Sequence, residues 1–288
     1  MTEPSVSVVI GSAGSAERLE NCLLALEPQL DDRVEVVVCE AQPSPPDLRR
    51  RFPWAEFLGR EGALVPELWT QGIDGTGNEI VALTISPMEV AGDWIAAIRA
   101  QHERHEVVAG AIEPGEALRL RDWAEYFCRY AREMLPFEPH RCRELPGDNA
   151  TYRRQLLARK RELYREGFWE PEVHRELAAD GVMLWHTPEL VVRHGRSFGW
   201  WAFTRQRLAH GRAYGRQRGA RFGFARNAVG AVGAPAVAVL MTARVLRQVK
   251  SKGRNRGPAL RALPIIFSFN LAWAVGEARG HLQALGAR

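Results

Sequence analysis

Cysteine is scarce in this chain. The four residues (Cys22, Cys39, Cys128 and Cys142) form no C-x-x-C pair, which excludes a disulfide scaffold and makes them reduced, mostly buried thiols of a cytoplasmic protein. No internal repeat of about 20–50 residues is present, so a solenoid or propeller is excluded. The opening MTEPSVSVVIGS carries an acid, no basic n-region and only the short apolar run Val6 to Ile10, so no secretory leader is expected. The apolar stretches 228–243 and 262–276 are both shorter than the ~20 residues a straight helix needs to cross a bilayer. Acid is missing from the end of the chain: none stands between Glu189 and Glu277. Among the histidines no H-E-x-x-H spacing occurs, so zinc is not expected.

What remains is an ordinary globular composition, 288 residues with 46% apolar and 25% charged, enough for one large domain or one plus an appendage. The net charge of +5 conceals a polar molecule. Residues 1–192 hold 21 Lys and Arg against 33 Asp and Glu, whereas residues 193–288 hold 18 against one. Such a tail seeks polyanions, either acidic lipid headgroups or nucleic acid. The basic, aromatic stretch 193–226 continues into apolar segments that suit lipid better than a duplex, so an anionic membrane surface is the expected partner and nucleic acid is not.

The first hundred residues alternate β-rich runs with amphipathic stretches, the pattern of a parallel sheet with crossover helices. Strands are expected at Ser5 to Ile10, Val34 to Glu40, Trp54 to Leu58, Glu79 to Ile85 and Val107 to Ile112. Helices are expected after GSAGSAER, at Ala63 to Ile73 and at Trp94 to Ala100. Further on come a helix near Arg121 to Met134, another near Glu172 to Ala179, short strands at Val182 to Trp185 and Leu190 to Arg193, and an Arg-coated helix from Arg205 to Arg221. The two apolar stretches form a helical hairpin around RVLRQVKSKGRNRGPALR. A spanning hairpin would place its basic N-terminal flank and its basic loop on opposite faces, against the positive-inside expectation. Helices lying in the interface are favoured, with a soluble hairpin packed on the body as the alternative.

In order and spacing, SVSVVIGSAGSAERLENCLLAL, EVVVCEAQPS, EIVALTISPMEVAGDW, LPGDNATYRR, GFWEPEVHRELAADGVMLWHTPELVVRHGRS and NLAWAVGEARGHLQALG resemble the landmarks of the nucleotide-sugar-dependent glycosyltransferases of family 2, including their membrane-associated members. The resemblance implies the GT-A fold, a Rossmann-like mixed and mostly parallel sheet flanked by helices, over residues 1–226, followed by a membrane-associating helical segment at 227–288. It implies transfer of a sugar from a nucleotide donor, with inversion, to a lipid-linked or polysaccharide acceptor of the cell envelope, at the cytoplasmic face of the inner or plasma membrane and peripherally bound.

By this resemblance Gly11, Ser12, Glu40, Thr84 and Ser86 lie on the nucleotide-sugar side, Glu40 replacing the aspartate that binds base or ribose. Gly11 to Ser15 read as a helix-capping turn more readily than as a phosphate cradle. Asp148, Asn149 and Arg153 fall on the sugar or acceptor side, or form an Asx cap before a helix. Related enzymes hold Mg²⁺ or Mn²⁺ with D-x-D-like carboxylates after this strand. Here Thr84-Ile85-Ser86-Pro87-Met88 has no carboxylate before Glu89, so the metal ligands are unknown and a divalent cation is in question. Arg60, Arg153, Arg154 and the terminal His194 are the candidates to meet the diphosphate charge. Glu170, then Glu172, occupies the place of the catalytic base, although Pro171 flanked by acids also makes a favourable helix start. A catalytically degenerate binding protein is the alternative reading.

Overall fold

The computed structural model describes residues 3–116, 118–195, 199–220 and 222–286. In chain order the elements are β1 (Val6–Ser12), α1 (Ala16–Leu26), β2 (Val34–Glu40), α2 (Pro46–Arg51), β3 (Ala55–Gly59), α3 (Val65–Asp74), β4 (Ile80–Ile85), β5 (Met88–Val90), α4 (Trp94–His102), β6 (Val107–Pro114), α5 (Leu120–Tyr130), β7 (His140–Cys142), β8 (Asn149–Arg153), α6 (Arg154–Arg159), α7 (Glu170–Ala179), β9 (Leu184–His194), α8 (Trp200–Ala220), α9 (Phe224–Val232), α10 (Ala234–Lys252) and α11 (Arg256–Gly286). The last residue expected of the Arg-coated helix, Arg221, lies outside the described residues, as do Arg196 and Ser197.

Two compact units result, Met1–Glu113 with Glu133–Gly195, and Pro114–Arg132 with Arg196–Arg288. The boundary expected at 226/227 falls inside α9 of the second unit.

The first unit holds the sheet, ordered β3-β2-β1-β4-β8-β6-β9-β5 among the described residues, with β7 on β9. β3, β2, β1 and β4 are parallel; β8 runs antiparallel to both β4 and β6, and β9 to β5 and β7. All of β1 and β4 is buried, as continuous Val/Ile runs covered on both faces require. α3 lies so close to β1 that a Cβ on Gly72 would strike Val9. The short strands expected at 182–185 and 190–193 are one strand, β9. Pro188, which reads as a breaker, stands between the stretch paired with β7 and the stretch paired with β5, where a missing N–H is tolerated.

The second unit is helical. α11 packs on α8, α10, α9 and α5, and α10 turns into α11 through Gly253 and Asn255, both at positive φ (72° and 56°), which gives the expected C-terminal hairpin. Gly211 and Gly215 of α8 lie against the backbone of Trp273 and Glu277 in α11, and Gly276 and Gly280 of α11 against the backbone of Leu208 and Arg212 in α8. A Cβ on Gly215 would strike the Glu277 carbonyl, and one on Gly280 the Arg212 carbonyl, so these helices meet backbone to backbone, as small-residue spacing allows. Buried polar groups tie the bundle: Arg207 lies 4.4 Å over the Trp273 ring and donates to Asn270 Oδ1 at 3.3 Å, and Asn270 donates to Thr242 Oγ1 at 3.1 Å.

Among the described residues α11, with 31 residues and a mean hydropathy of 1.4 over its most apolar stretch, is long and apolar enough to cross a membrane, and α9 with α10, bent by 67°, passes the same test as a pair. The apolar stretch 262–276 is thus only the middle of a longer helix.

Candidate active site

Parallel strands present their carboxyl ends at one edge of a sheet, where open α/β folds bind ligands. Here that edge is formed by Ser12 of β1, Glu40 of β2 and Ile85 of β4. β8 runs the other way, and because Asn149 is in register with Thr84, the segment Gly147–Asp148 that enters β8 arrives at the same edge. The Thr84 hydroxyl donates to the Asp148 carbonyl at 3.1 Å, while the Thr84 carbonyl accepts from the buried Trp69 indole N–H at 2.8 Å. Gly11 makes room for that indole: a Cβ there would lie 3.2 Å from Trp69 Nε1. The Ser86 N–H donates to the Gly11 carbonyl at 3.1 Å, and Ser86 is buried. Above it, Ser86 Oγ and the Arg18 guanidinium flank Gly14, at 3.4 and 3.8 Å from where its Cβ would stand. Arg18 is a cation at this edge that the sequence reading passed over, since only its place in the first turn of α1 marks it.

Glu170 reaches the same place from α7. It is the first residue of that helix, followed by Pro171, and is half-buried. Its side chain lies so close over Gly147 that a Cβ there would come within 2.6 and 2.8 Å of Glu170 Cγ and Cδ. The helix-start reading and the edge position therefore hold together for this residue. Glu172 instead accepts from Arg175 at 3.1 Å, an i,i+3 pair along the outside of the helix.

Glu40 is buried, and its carboxylate accepts from the Arg49 guanidinium at 2.6 Å and the Ser44 N–H at 3.0 Å, so it organises the turn after β2. The Arg60 N–H donates to the Glu40 carbonyl at 2.9 Å, and the Arg60 guanidinium pairs with Glu67 at 3.3 Å, keeping this arginine beside the end of β2. Buried His194 is in register with Met88, and the following Gly195 N–H donates to the Pro87 carbonyl at 2.9 Å. β9 thus ends next to the turn that follows β4. Burial pushes the Cys22 and Cys39 thiols up to about 12, so neither is a nucleophile.

Two residues expected at the site are elsewhere, and a third, Asn149, stands at the edge with its side chain turned into the sheet. Asn149 is fully buried and committed to the sheet: it accepts from the Trp94 indole at 3.0 Å and donates to the carbonyls of Ala111 and Leu190 at 3.0 and 2.9 Å. It begins a strand and is not an Asx cap. Arg153, in register with Ile80, stands at the opposite end of β8, about 13 Å from Asn149 at strand rise, and donates to the His102 carbonyl at 2.5 Å. Arg154 donates to the carbonyls of Asn78 and Ile73, to Ser7 Oγ and to Thr76 Oγ1, closing the C-terminal end of α3. Neither arginine meets a ligand at the carboxyl edge.

Among the described residues no three His, Cys, Asp or Glu side chains lie together as metal ligands. The turn after β4 supplies hydroxyls and Pro87 before its first carboxylate, Glu89. This donor set does not fit Mg²⁺ or Mn²⁺, which require several oxygen ligands, usually carboxylates.

No protein-family model and no curated protein matches the sequence. Solved structures do. One similar structure is the mannosyltransferase PcManGT from Pyrobaculum calidifontis in complex with GDP-Man and Mn²⁺, 17% identical with a TM-score of 0.58, covering 96% of this chain and 88% of that one. Another is GalNAc-T7 with UDP, GalNAc and Mn²⁺, 14% identical with a TM-score of 0.50, where 67% of this chain covers 44% of the other. At these identities the likeness establishes the fold alone, a GT-A glycosyltransferase fold with a long C-terminal helix.

Proposed function

We propose that this protein transfers a sugar from a nucleoside-diphosphate sugar to an acceptor hydroxyl, with inversion, and that Glu170 is the base. One observation carries the reading: within a GT-A fold, the ends of β1, β2 and β4, the Gly147–Asp148 segment and the half-buried Glu170 carboxylate converge on the ligand edge of one sheet. The acceptor oxygen attacks the anomeric carbon, its proton passes to Glu170, and the bond from that carbon to the diphosphate oxygen breaks. Gly11, Ser12, Glu40, Thr84 and Ser86 border the donor. Asp148 borders the sugar, and Arg60, Arg18 and His194 stand where the leaving diphosphate's charge is met.

The acceptor is lipid-linked or part of a cell-envelope polysaccharide, and the chain works peripherally on the cytoplasmic face of an anionic membrane. Support comes from Phe224, Val229, Val232, Val239, Leu240 and Leu260, large apolar side chains exposed on α9, α10 and α11, within a segment that carries 18 Lys and Arg against one acid. Along Gly276–Ala284, α11 is bound backbone to backbone to α8, which carries Arg212, Arg216 and Arg218. That favours helices lying in the interface over a bilayer span.

The donor set that does not fit a divalent cation favours a second reading, a glycosyltransferase-like protein that binds a donor without turnover. Turnover of a GDP- and UDP-sugar panel with Mg²⁺, with Mn²⁺ and with EDTA separates them. Transfer or hydrolysis that persists in EDTA is expected. Binding without turnover would establish the second reading, and strict Mn²⁺ dependence would overturn the assignment of charge neutralisation to the arginines.

A further inference from the structure

Between Arg226 and Arg244 the chain has 17 residues and no charge. They form most of α9 and the first half of α10, which meet at Gly233 with a bend of 67°. One side of this elbow is covered: Ala234 and Ala238 pack on Ala274 of α11, and a Cβ on Gly230 would strike the His281 ring. The other side is bare. Val229, Val232, Pro235, Ala236, Val239 and Leu240 are exposed there, Val232 beside the bend by 83%. The two polar side chains of the stretch are satisfied within the protein. Buried Asn227 donates to the carbonyls of Gly219 and Phe222 and accepts from His281 Nδ1 at 2.8 Å, and the Thr242 hydroxyl donates to the Ala238 carbonyl at 2.9 Å. At the bend the Gly233 N–H donates to the Val229 carbonyl at 2.9 Å and the Val237 N–H to the Gly233 carbonyl at 3.1 Å, while Pro235 has no N–H to leave open. Backbone satisfied internally is the condition that hydrocarbon sets. The charge then changes abruptly along α10: Arg244, Arg247 and Lys250 take over its exposed face, and from Arg244 to Arg261 the chain carries seven cations and no acid.

We propose that the α9–α10 elbow is the part of the chain that enters the membrane, as a shallow V with its bend lowest and Arg226 and Arg244 at the phosphates on its two arms. This rests on the reading that the chain works peripherally on an anionic membrane, and it gives that partner one point of entry. A 67° change of direction shared by both arms inclines each by about 34° to the membrane plane, which at ~1.5 Å per residue puts the bend about 6 Å below Arg226 and about 8 Å below Arg244. That matches the ~5–10 Å to which interfacial helices sink and falls far short of a ~30 Å span. A helix lying flat would be apolar along the whole of its exposed face, whereas that of α10 turns basic halfway. The cations beyond Arg244 then rise through the headgroups, where anionic lipid phosphates complement them.

Depth measurements on the full chain test this. Val232→Cys, Leu240→Cys, Ala243→Cys and Lys250→Cys, each labelled with NBD, are mixed with phosphatidylcholine–phosphatidylglycerol vesicles that carry a nitroxide at the headgroup or in mid-acyl chain, and the signal of the four native cysteines is subtracted using the unsubstituted protein. The mid-chain nitroxide should quench position 232 most and 240 less, the headgroup nitroxide should quench 243, and 250 should stay in water. Equal depths at 232, 240 and 243 would describe a flat helix, and a deeper label in Leu271→Cys than in Val232→Cys would make α11 the point of entry; either result overturns the proposal. Val232→Glu, at a side chain that the fold leaves exposed, should keep its far-ultraviolet circular dichroism and lose at least about tenfold in vesicle partitioning. Unchanged partitioning would overturn the proposal, as would a doubled mass in light scattering that Val232→Glu abolishes, since the face would then join two copies of the chain. Vesicle binding with every label in water removes the elbow alone, and no binding to any vesicle removes the membrane reading with it.

Discussion

Asn149 and Arg153 belong to one G-x-N-x-x-x-R-like segment of the sequence, yet they stand at opposite ends of a five-residue strand. Spacing gives a distance along the chain; it does not reveal which strand end faces the ligand, and that is decided by the antiparallel pairing of β8 with β4. Asn149 is polar because three buried partners need it, a requirement that no local pattern shows. Glu170 is marked by its place in the family resemblance, and its acid-Pro-acid context marks only a helix start, whereas its seat on Gly147 depends on a loop 23 residues upstream. The same central strand makes a pH-sensitive contact. Burial, with lesser effects from Arg153 and His105, pushes the His102 ring down from 6.5 to about 3, and its Nε2 meets Thr151 Oγ1 at 2.8 Å. Between those values the unfolded chain binds a proton that the folded chain does not. Stability present above about pH 6.5 is therefore lost progressively as pH falls toward 3, at up to ~1.4 kcal/mol per pH unit. Urea unfolding from pH 7 to pH 4 should show this slope, and His102→Gln should flatten it; an unchanged slope would assign the acid sensitivity elsewhere.

At the level of elements, the strands rich in Val and Ile were legible to within a residue or two, because burial on both faces leaves a continuous apolar run. β8 was not: NATYR has weak strand propensity and is extended because β4 and β6 pair with it on both sides, a tertiary effect. The contact of α8 with α11 was hidden in a different way, since glycines at four-residue spacing inside an Arg-rich helix read as helix weakness. Here they are the contact surface. Gly215→Ala would gain about 1 kcal/mol in helix propensity, but its methyl would be driven into the Glu277 carbonyl, and overpacking against backbone costs about 1–3 kcal/mol or more. Net destabilisation is expected in thermal unfolding, and stabilisation would show that the helices separate easily.

On the scale of the molecule, the charge polarity was visible at once, and the division of the chain was not. α5, from the acidic body of the sequence, belongs with the basic C-terminal helices because it packs on α11 and the Cys128 thiol donates to the Ile266 carbonyl. Residues 227–288 are thus half of a bundle whose removal would strip α5 and α8. The exposed apolar side chains of α9 and α10 should hold the protein on anionic vesicles even at 1 M salt, where the Debye length is only about 3 Å, and Leu240→Glu should weaken that binding. Complete release by salt would leave a purely electrostatic attachment.

The most direct test of the central claim compares the wild-type chain with Glu170→Gln, measuring donor affinity by calorimetry and sugar transfer or donor hydrolysis in EDTA. Affinity should stay within a few-fold while turnover falls by about 10²–10⁴-fold, the usual share of a positioned general base. Wild-type turnover matched by the variant would contradict the assignment of Glu170 and with it the site described at the carboxyl edge of the sheet.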